Sequence, residues 1–362
     1  MTSSGTTTQA QATNFSNVAG NWFPENLAQI TGRLNAIVTQ PATVKPVAVF
    51  DFDNTCIFRD VGQAVFRYQV QHLHYRLTPK QLAAILPKTG GALDGRPMTL
   101  LTTVLTEAYR ALYPLIAAGK QEEAQLLPEY QLFAVLMLWI TDKARKDEHL
   151  GPRFVLPFMG KMLAGFSTAE LRNLAVEVVQ VVRREPLREE TLTVAAPEPI
   201  GRIEASYPLG LHPHPEMLAL MHSLANLGIE RYVISASTEW LVEGAATLLG
   251  FPVDADHIFG IRVGLEEGEV LTIDDPAAYP VTFREGKAEI IGKWISGRPV
   301  LVAGDADTDF EMLTLPGVDI RLLVNRRQRG LISSLYEDPR VLLQGLDLNS
   351  GRFRPSRESI GD

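Results

Sequence analysis

Hydrophobic residues along this chain follow two patterns: short runs with almost no polar break, and longer stretches with a helical repeat. Val47 to Phe50, Tyr232 to Ile234, Val300 to Ala303 and Ile320 to Val324 belong to the first. Runs of this kind read as parallel strands buried on both faces, since a strand with one wet face alternates instead. The helical repeat is clear in Val61, Val65, Phe66, Val70 and Leu73, and again in Leu132, Val135, Leu136 and Leu138 within a helix over residues 130–141. Thr78 with Gln81, and Ser167 with Glu170, each precede an apolar-periodic run and predict capping boxes. Helices over 216–227 and 240–249 are each followed by glycine, at 228 and 250, where a left-handed residue closes a helix. Glu266-Glu267-Gly268, between residues 258–263 and 269–272, predicts a hairpin turn.

The spacing of these elements divides the chain. The first strand and the Tyr232 strand are too far apart for a simple crossover, and the residues between them show helical periodicity with no β-type alternation. Three units are therefore expected: a tail over 1–20, an α/β core assembled from 21–58 and 208–362, and a helical insertion over 59–207. A length of 362 residues with 46% hydrophobic content supports two compact units. The formal charge of -8 and the dispersed basic residues give no nucleic-acid footprint, and the densest basic cluster, Arg326-Arg327-Gln328-Arg329, reads as a solvated helix face. Cys56 is the only cysteine, so no disulfide forms within the chain. His212 and His214 have no cysteine partners and do not make a zinc site. No stretch has the length and apolarity of a membrane span, and the first residues lack a secretory pattern. A cytoplasmic protein is the expectation, with neither a membrane nor nucleic acid as partner.

The chemistry sits where the apolar runs stop. Asp51 and Asp53 follow the first, Ser235 and Ser237 the second, and Asp305, Asp307 and Asp309 the third. Strand carboxyl ends are where open α/β sheets bind ligands. Two neighbouring carboxylates at a buried edge call for a divalent cation with Asp51 and Asp53 among its oxygen ligands, although a turn or helix cap uses the same residue types. Lys287 begins an amphipathic helix carrying Ile290, Ile291, Trp294 and Ile295. A lysine there opposes the helix dipole and suits an anion better than it suits stability.

The order Asp-x-Asp-x-Thr at 51–55, a strand-end Ser235, Lys287, and Gly-Asp-x-x-x-Asp at 304–309 resembles the aspartate-nucleophile phosphatases of the haloacid dehalogenase superfamily. The resemblance covers about residues 45–58 and 211–325. It implies a Rossmann-like parallel sheet with helices on both faces and an inserted helical cap over the active site. It also implies that Asp51 attacks phosphorus, that Asp53 is the general acid and base, and that Thr55 and Ser235 hold phosphate oxygens. Lys287 would neutralise the phosphoryl group. A magnesium ion would be held by Asp51, Asp305 and the Asp53 backbone carbonyl, with Asp309 completing its shell or orienting Lys287. Dehalogenases of the superfamily lack an acid at the position of Asp53, and the P-type pumps have threonine there. Phosphomonoester hydrolysis is the reading this leaves, with phosphotransfer or mutase chemistry, or a non-catalytic scaffold, as alternatives.

The phosphoserine and phosphocholine phosphatase branches are most similar, having a helical cap at the same point. Both recognise an amine through acids soon after the first motif. Asp60 occupies that position here, whereas Gly62 and Gln63 stand where the phosphocholine branch has paired glutamates. Phe58, Phe66, Tyr68 and Tyr75 are the aromatic residues available for a cage around a quaternary amine. The expected partner is thus a small phosphomonoester with an amine.

Overall fold

The computed structural model describes residues 18, 20–39, 44–88 and 91–361, so the tail expected over 1–20 lies almost wholly outside the described residues. Helix α1 (Pro24–Thr39) precedes strand β1 (Pro46–Phe50). Six longer helices follow: α2 (Val61–His72), α3 (Pro79–Ile85), α4 (Met98–Ala117), α5 (Pro128–Lys146), α6 (Gly151–Lys161) and α7 (Thr168–Val182). An antiparallel pair, β2 (Arg188–Ala195) and β3 (Arg202–Leu209), comes next. The chain then runs through α8 (Pro215–Asn226), β4 (Glu230–Thr238), α9 (Glu239–Leu249), β5 (Ile258–Ile261) and α10 (Glu285–Trp294). It finishes with β6 (Arg298–Gly304), β7 (Ile320–Asn325), β8 (Val341–Asp347) and the short β9 (Arg352–Phe353).

Seven strands make one sheet in the order β9-β8-β7-β6-β1-β4-β5. Every pairing is parallel except that of β9 with β8. The expected α/β class with a mostly parallel sheet is therefore what forms. Its cause is visible in β1, where Ala48 and Phe50 pack with residues of α8 and α9 while Val47 and Val49 pack against Ile290 and Ile291 of α10. Each of these four β1 side chains is fully buried. Complete burial of a Val or Phe side chain contributes about 1.5–3 kcal/mol, and polar substitution on either face of β1 forfeits it.

Both capping boxes form, with Thr78 and Gln81, and Ser167 and Glu170, exchanging side-chain and backbone bonds. Gly228 and Gly250 take the left-handed conformations that close α8 and α9. The Glu267-Gly268 turn joins Leu265–Glu266 to Val270–Leu271, but the run from Ile258 belongs to the main sheet as β5 rather than to a hairpin. The expectation of no β alternation before residue 207 is corrected by β2 and β3. Ile203, Ala205, Tyr207 and Leu209 face inward with exposed or half-buried residues between them, a two-residue period that is legible once sought.

Most of the segment after β1 shares a separate apolar cluster, including Val70, Leu105, Tyr109, Phe133 and Ile203. Helix α7 is different, since Leu171, Ala175 and Val178 pack with Val242 and Ala245 of α9 in the sheet layer. The two helices approach so closely that a Cβ on Gly244 would stand 2.3 Å from the Arg172 carbonyl oxygen. This contact, which demands glycine, anchors the inserted segment against the sheet layer that carries the site.

Candidate active site

Asp51 continues the β1 ladder, its N–H donating to the Ala303 carbonyl of β6 at 2.9 Å. The chain then turns back on itself through Asn54 and Arg59, both at positive φ, with the Asn54 N–H donating to the Arg59 carbonyl. The turn brings Thr55 beneath the carboxylate it follows. The Thr55 hydroxyl donates to Asp51 Oδ2 at 2.9 Å and approaches Asp305 Oδ1 at 3.3 Å. Lys287 reaches in from the first turn of α10, completely buried, and its Nζ lies 2.6 Å from Asp51 Oδ1 and 2.7 Å from Asp309 Oδ1. Burial opposes the lysine charge, but Asp309 and Asp51 together hold its pKa above the ordinary range. Asp51 itself is pushed well above the usual carboxylate range by burial and by Asp309, against the pull of Lys287.

Asp53 has a different environment. One of its oxygens accepts from the Val61 N–H at 2.7 Å, and the other accepts from the Ser235 and Ser237 hydroxyls at 2.9 and 2.7 Å. Burial, with Asp60 nearby, raises its pKa to about 7, and those three hydrogen bonds restrain the rise. A carboxyl group poised near neutrality both gives and takes a proton at working pH.

The end of β6 supplies the third component. Asp309 Oδ2 accepts from the N–H groups of Asp305 and Ala306, while its Oδ1 holds Lys287. Both of its oxygens therefore serve the loop and the lysine, and it is not among the residues lining the cavity described below. Asp305 Oδ2 pairs with Arg326 at 2.6 Å. Burial pushes the Asp305 pKa up, and Arg326 pulls it back. Arg326 follows β7 directly in a loop, so the basic run at 326–329 is not a helix face. Its place beside Asp305 is not read from the sequence, because charge runs usually mark surface. The relevant signal was its place immediately after a buried strand, the rule that found Asp51, Ser235 and Asp305.

Carboxylate oxygens of Asp51, Asp305 and Asp309 lie within 4.8 Å of one another. Asp53 is not in that group. Four buried carboxyl groups, Asp51, Asp53, Asp305 and Asp309, face two paired cations, Lys287 and Arg326, an excess of two negative charges once all four, Asp53 included, are ionised. A divalent cation would balance that excess, and hard oxygen donors suit magnesium. Asp51 and Asp305, which also reach the cavity, are the residues placed to hold it.

A cavity of about 680 Å³ opens above these groups. Asp51, Asp53, Asp305 and Asp307 form its floor, and Asp142, Arg145 and Met159 of α5 and α6 lie among its walls. Thr55, Ser235, Lys287 and Asp309 are not among its lining residues; the first three are turned onto carboxylates, and Asp309 onto Lys287 and the 305–306 backbone. Ser237 does line it, as does Asp60. Asp60 caps α2, accepting from the Gln63 N–H at 2.8 Å and the Gln63 amide at 2.9 Å. Of the four aromatic residues expected around an amine, Phe66 alone is among the cavity-lining residues. Phe58 packs on His212, Tyr75 on Tyr109 and Phe133, and the Tyr68 hydroxyl donates to Glu177. No cage is assembled among the described residues.

No protein-family model matches the chain, and no curated protein does. Among solved structures, a conserved functionally unknown protein from Anaerococcus prevotii DSM 20548 superposes with a TM-score of 0.80 at 27% identity, over 95% of this chain and 98% of the other. The sheet and the inserted segment are thus shared as one arrangement. A protein with unknown function from Bordetella pertussis Tohama I gives a TM-score of 0.42 at 16% identity, covering 81% of this chain and 95% of that one. Cytosolic 5'-nucleotidase IIIB bound to cytidine gives 0.36 at 12%, covering 83% and 80%. Neither of the last two is similar enough to bear on mechanism. No helix among the described residues is long and apolar enough to cross a membrane.

Proposed function

We propose that this protein is a magnesium-dependent phosphomonoester hydrolase of the haloacid dehalogenase type, acting through an aspartyl-phosphate on Asp51. One observation carries the reading. Two buried carboxyl groups, a residue apart at the end of the central strand, have different surroundings: Asp51 is paired with the buried Lys287 ammonium, while Asp53 is poised near neutrality between two hydroxyls. That division suits a nucleophile and a proton carrier.

Asp51 Oδ forms a bond to phosphorus as the ester oxygen departs, and Asp53 delivers its proton to that oxygen. In the second step Asp53, now a carboxylate, takes a proton from water. The water oxygen bonds to phosphorus, and the phosphorus bond to Asp51 breaks. Lys287 offsets charge on the nucleophile throughout, and Asp309 keeps it in place. Thr55 and Ser235 act as positioning residues, fixing the two carboxylates in their rotamers. A magnesium ion at Asp51 and Asp305 would supply positive charge to the phosphoryl oxygens, the electrostatic contribution on which phosphoryl transfer chiefly depends. The helices above the cavity act as a cap that limits water.

The test is phosphate release from p-nitrophenyl phosphate with magnesium and then with chelator. Release that chelator abolishes and magnesium restores is the expected result. Release indifferent to metal, or none from this or any other phosphomonoester in either condition, would overturn the reading.

A further inference from the structure

A smaller chamber of about 110 Å³ adjoins the cavity, and the two share Asp60, Gln63, Phe66, Asp142, Arg145 and Met159 among their lining residues. Residues of α2, α5 and β3 line the chamber, and three arginines are among them or beside them: Arg59, Arg67 and Arg145. Arg67 is 7% exposed; it pairs with Glu185 at 2.7 Å and lies over the Tyr207 ring, yet its Nε has no hydrogen-bond partner. The buried Nε of Arg59 likewise lacks one, although its Nη1 pairs with Glu189. Arg145 has no carboxylate within ion-pair distance among the described residues, and its Nη2 meets only the Met159 sulfur, at 3.3 Å. A thioether is a weak acceptor for a guanidinium. Arg67, buried with a donor unused, is costly to maintain, and Arg145 is a guanidinium with no anion to receive it.

The acids of the chamber are already engaged. Asp60 caps α2, with the Ser237 hydroxyl 3.3 Å from its Oδ1, and Asp142 pairs with Lys146 at 2.8 Å. At position 62 a side chain would displace Ser237, because a Cβ there would stand 2.4 Å from Ser237 Oγ. Together with the missing aromatic cage, this is poor provision for a cationic leaving group.

We infer that the arginine-lined chamber is an anion subsite, and that the ester this enzyme takes carries a second anionic group, a carboxylate or a second phosphate, at the end remote from the scissile phosphoryl group. The inference rests on the phosphatase reading above. It reverses the amine expected of the substrate. Arginine is the side chain whose donor fork matches both carboxylate and phosphate oxygens.

The experiment measures kcat/KM for p-nitrophenyl phosphate, for carboxyalkyl phosphates of increasing chain length, for the matching alkanediol bisphosphates, for neutral alkyl phosphates and for phosphocholine. The proposal predicts that an anion-tailed ester of suitable length exceeds its neutral counterpart by about tenfold or more, as charged hydrogen bonds warrant. Arg145→Gln should reduce that ratio by about tenfold, and Arg145→Lys should recover part of it. The better of the two tails identifies the anion. Turnover of p-nitrophenyl phosphate with neutral or choline esters equal to every anionic one, or a ratio indifferent to Arg145→Gln, overturns the subsite and leaves the phosphatase reading intact. Failure to hydrolyse any ester overturns both.

Discussion

His214 offers a sharp test of the packing behind the catalytic loop. Its N–H donates to the Cys56 carbonyl, tying the loop after Asp53 to the start of α8, and its ring is fully buried against Phe58 and Phe353. Neither ring nitrogen has a hydrogen-bond partner. Burial, with His212 and Arg326 nearby, lowers its pKa from 6.5 to about 3. The folded value lies below the unfolded one, so between the two the unfolded chain binds the extra proton. The stability this histidine withholds from the unfolded state is fully present above about pH 6.5 and is lost as pH falls toward about 3. Each unit in that window removes about 1.4 kcal/mol, so acidification from pH 6.5 to about 4.5 costs on the order of 3 kcal/mol through this residue. Replacing it by leucine, which is similar in volume and sacrifices no hydrogen bond, should change stability at neutral pH by less than about 1.5 kcal/mol. Urea unfolding of the parent and His214→Leu across this range gives the comparison, with the carboxylates common to both cancelling. The parent should lose about 3 kcal/mol more than the variant by about pH 4.5. Parallel curves would refute a buried, neutral His214.

Three further outcomes follow from the site. Lys287→Met leaves Asp51 and Asp309 buried without their cation, and should lower stability by about 3–5 kcal/mol and abolish turnover, read by urea unfolding and phosphate release; a variant of parental stability would contradict the ion triad. Magnesium should raise the melting temperature of the parent, by about 2.7 kcal/mol of added stability at a hundredfold excess over Kd, and Asp305→Asn should remove the shift. Gly62→Ala pushes Ser237 off the Asp53 carboxylate and should lower kcat by about tenfold, the effect of displacing one charged hydrogen bond, while an unchanged kcat would show that Ser237 does not support the acid.

The elements that positioned the site were legible because each obeyed a local rule strongly. Strands β1, β4, β6 and β7 carry apolar runs buried on both faces, and the residues that follow those runs, Asp51, Ser235, Asp305 and Arg326, fall at one sheet edge for that reason. The last of these was nevertheless missed, since a run of three arginines looks like surface until the strand before it is known to be central. The hairpin escaped for another reason. Strand β2 is largely charged or polar and lies mostly exposed or half-buried, so only β3 carried a readable alternation. The long α4 went unread, with threonines crowding its first turns and Pro114 within its last. Arg145 had no local signal at all. It sits on the half-polar side of a helix, and only the fold of α2, α5 and β3 together makes it the unpaired wall of a chamber.

Asp51 as the nucleophile is the claim on which the rest depends. Enzyme turning over p-nitrophenyl phosphate would be acid-quenched, treated with borohydride to reduce any acyl phosphate, digested and sequenced by mass spectrometry. Conversion of Asp51 to homoserine, with Asp53 intact and no conversion in Asp51→Asn, is the predicted result. Continued turnover by Asp51→Asn, or a phosphoryl group found on any other side chain, would contradict the account.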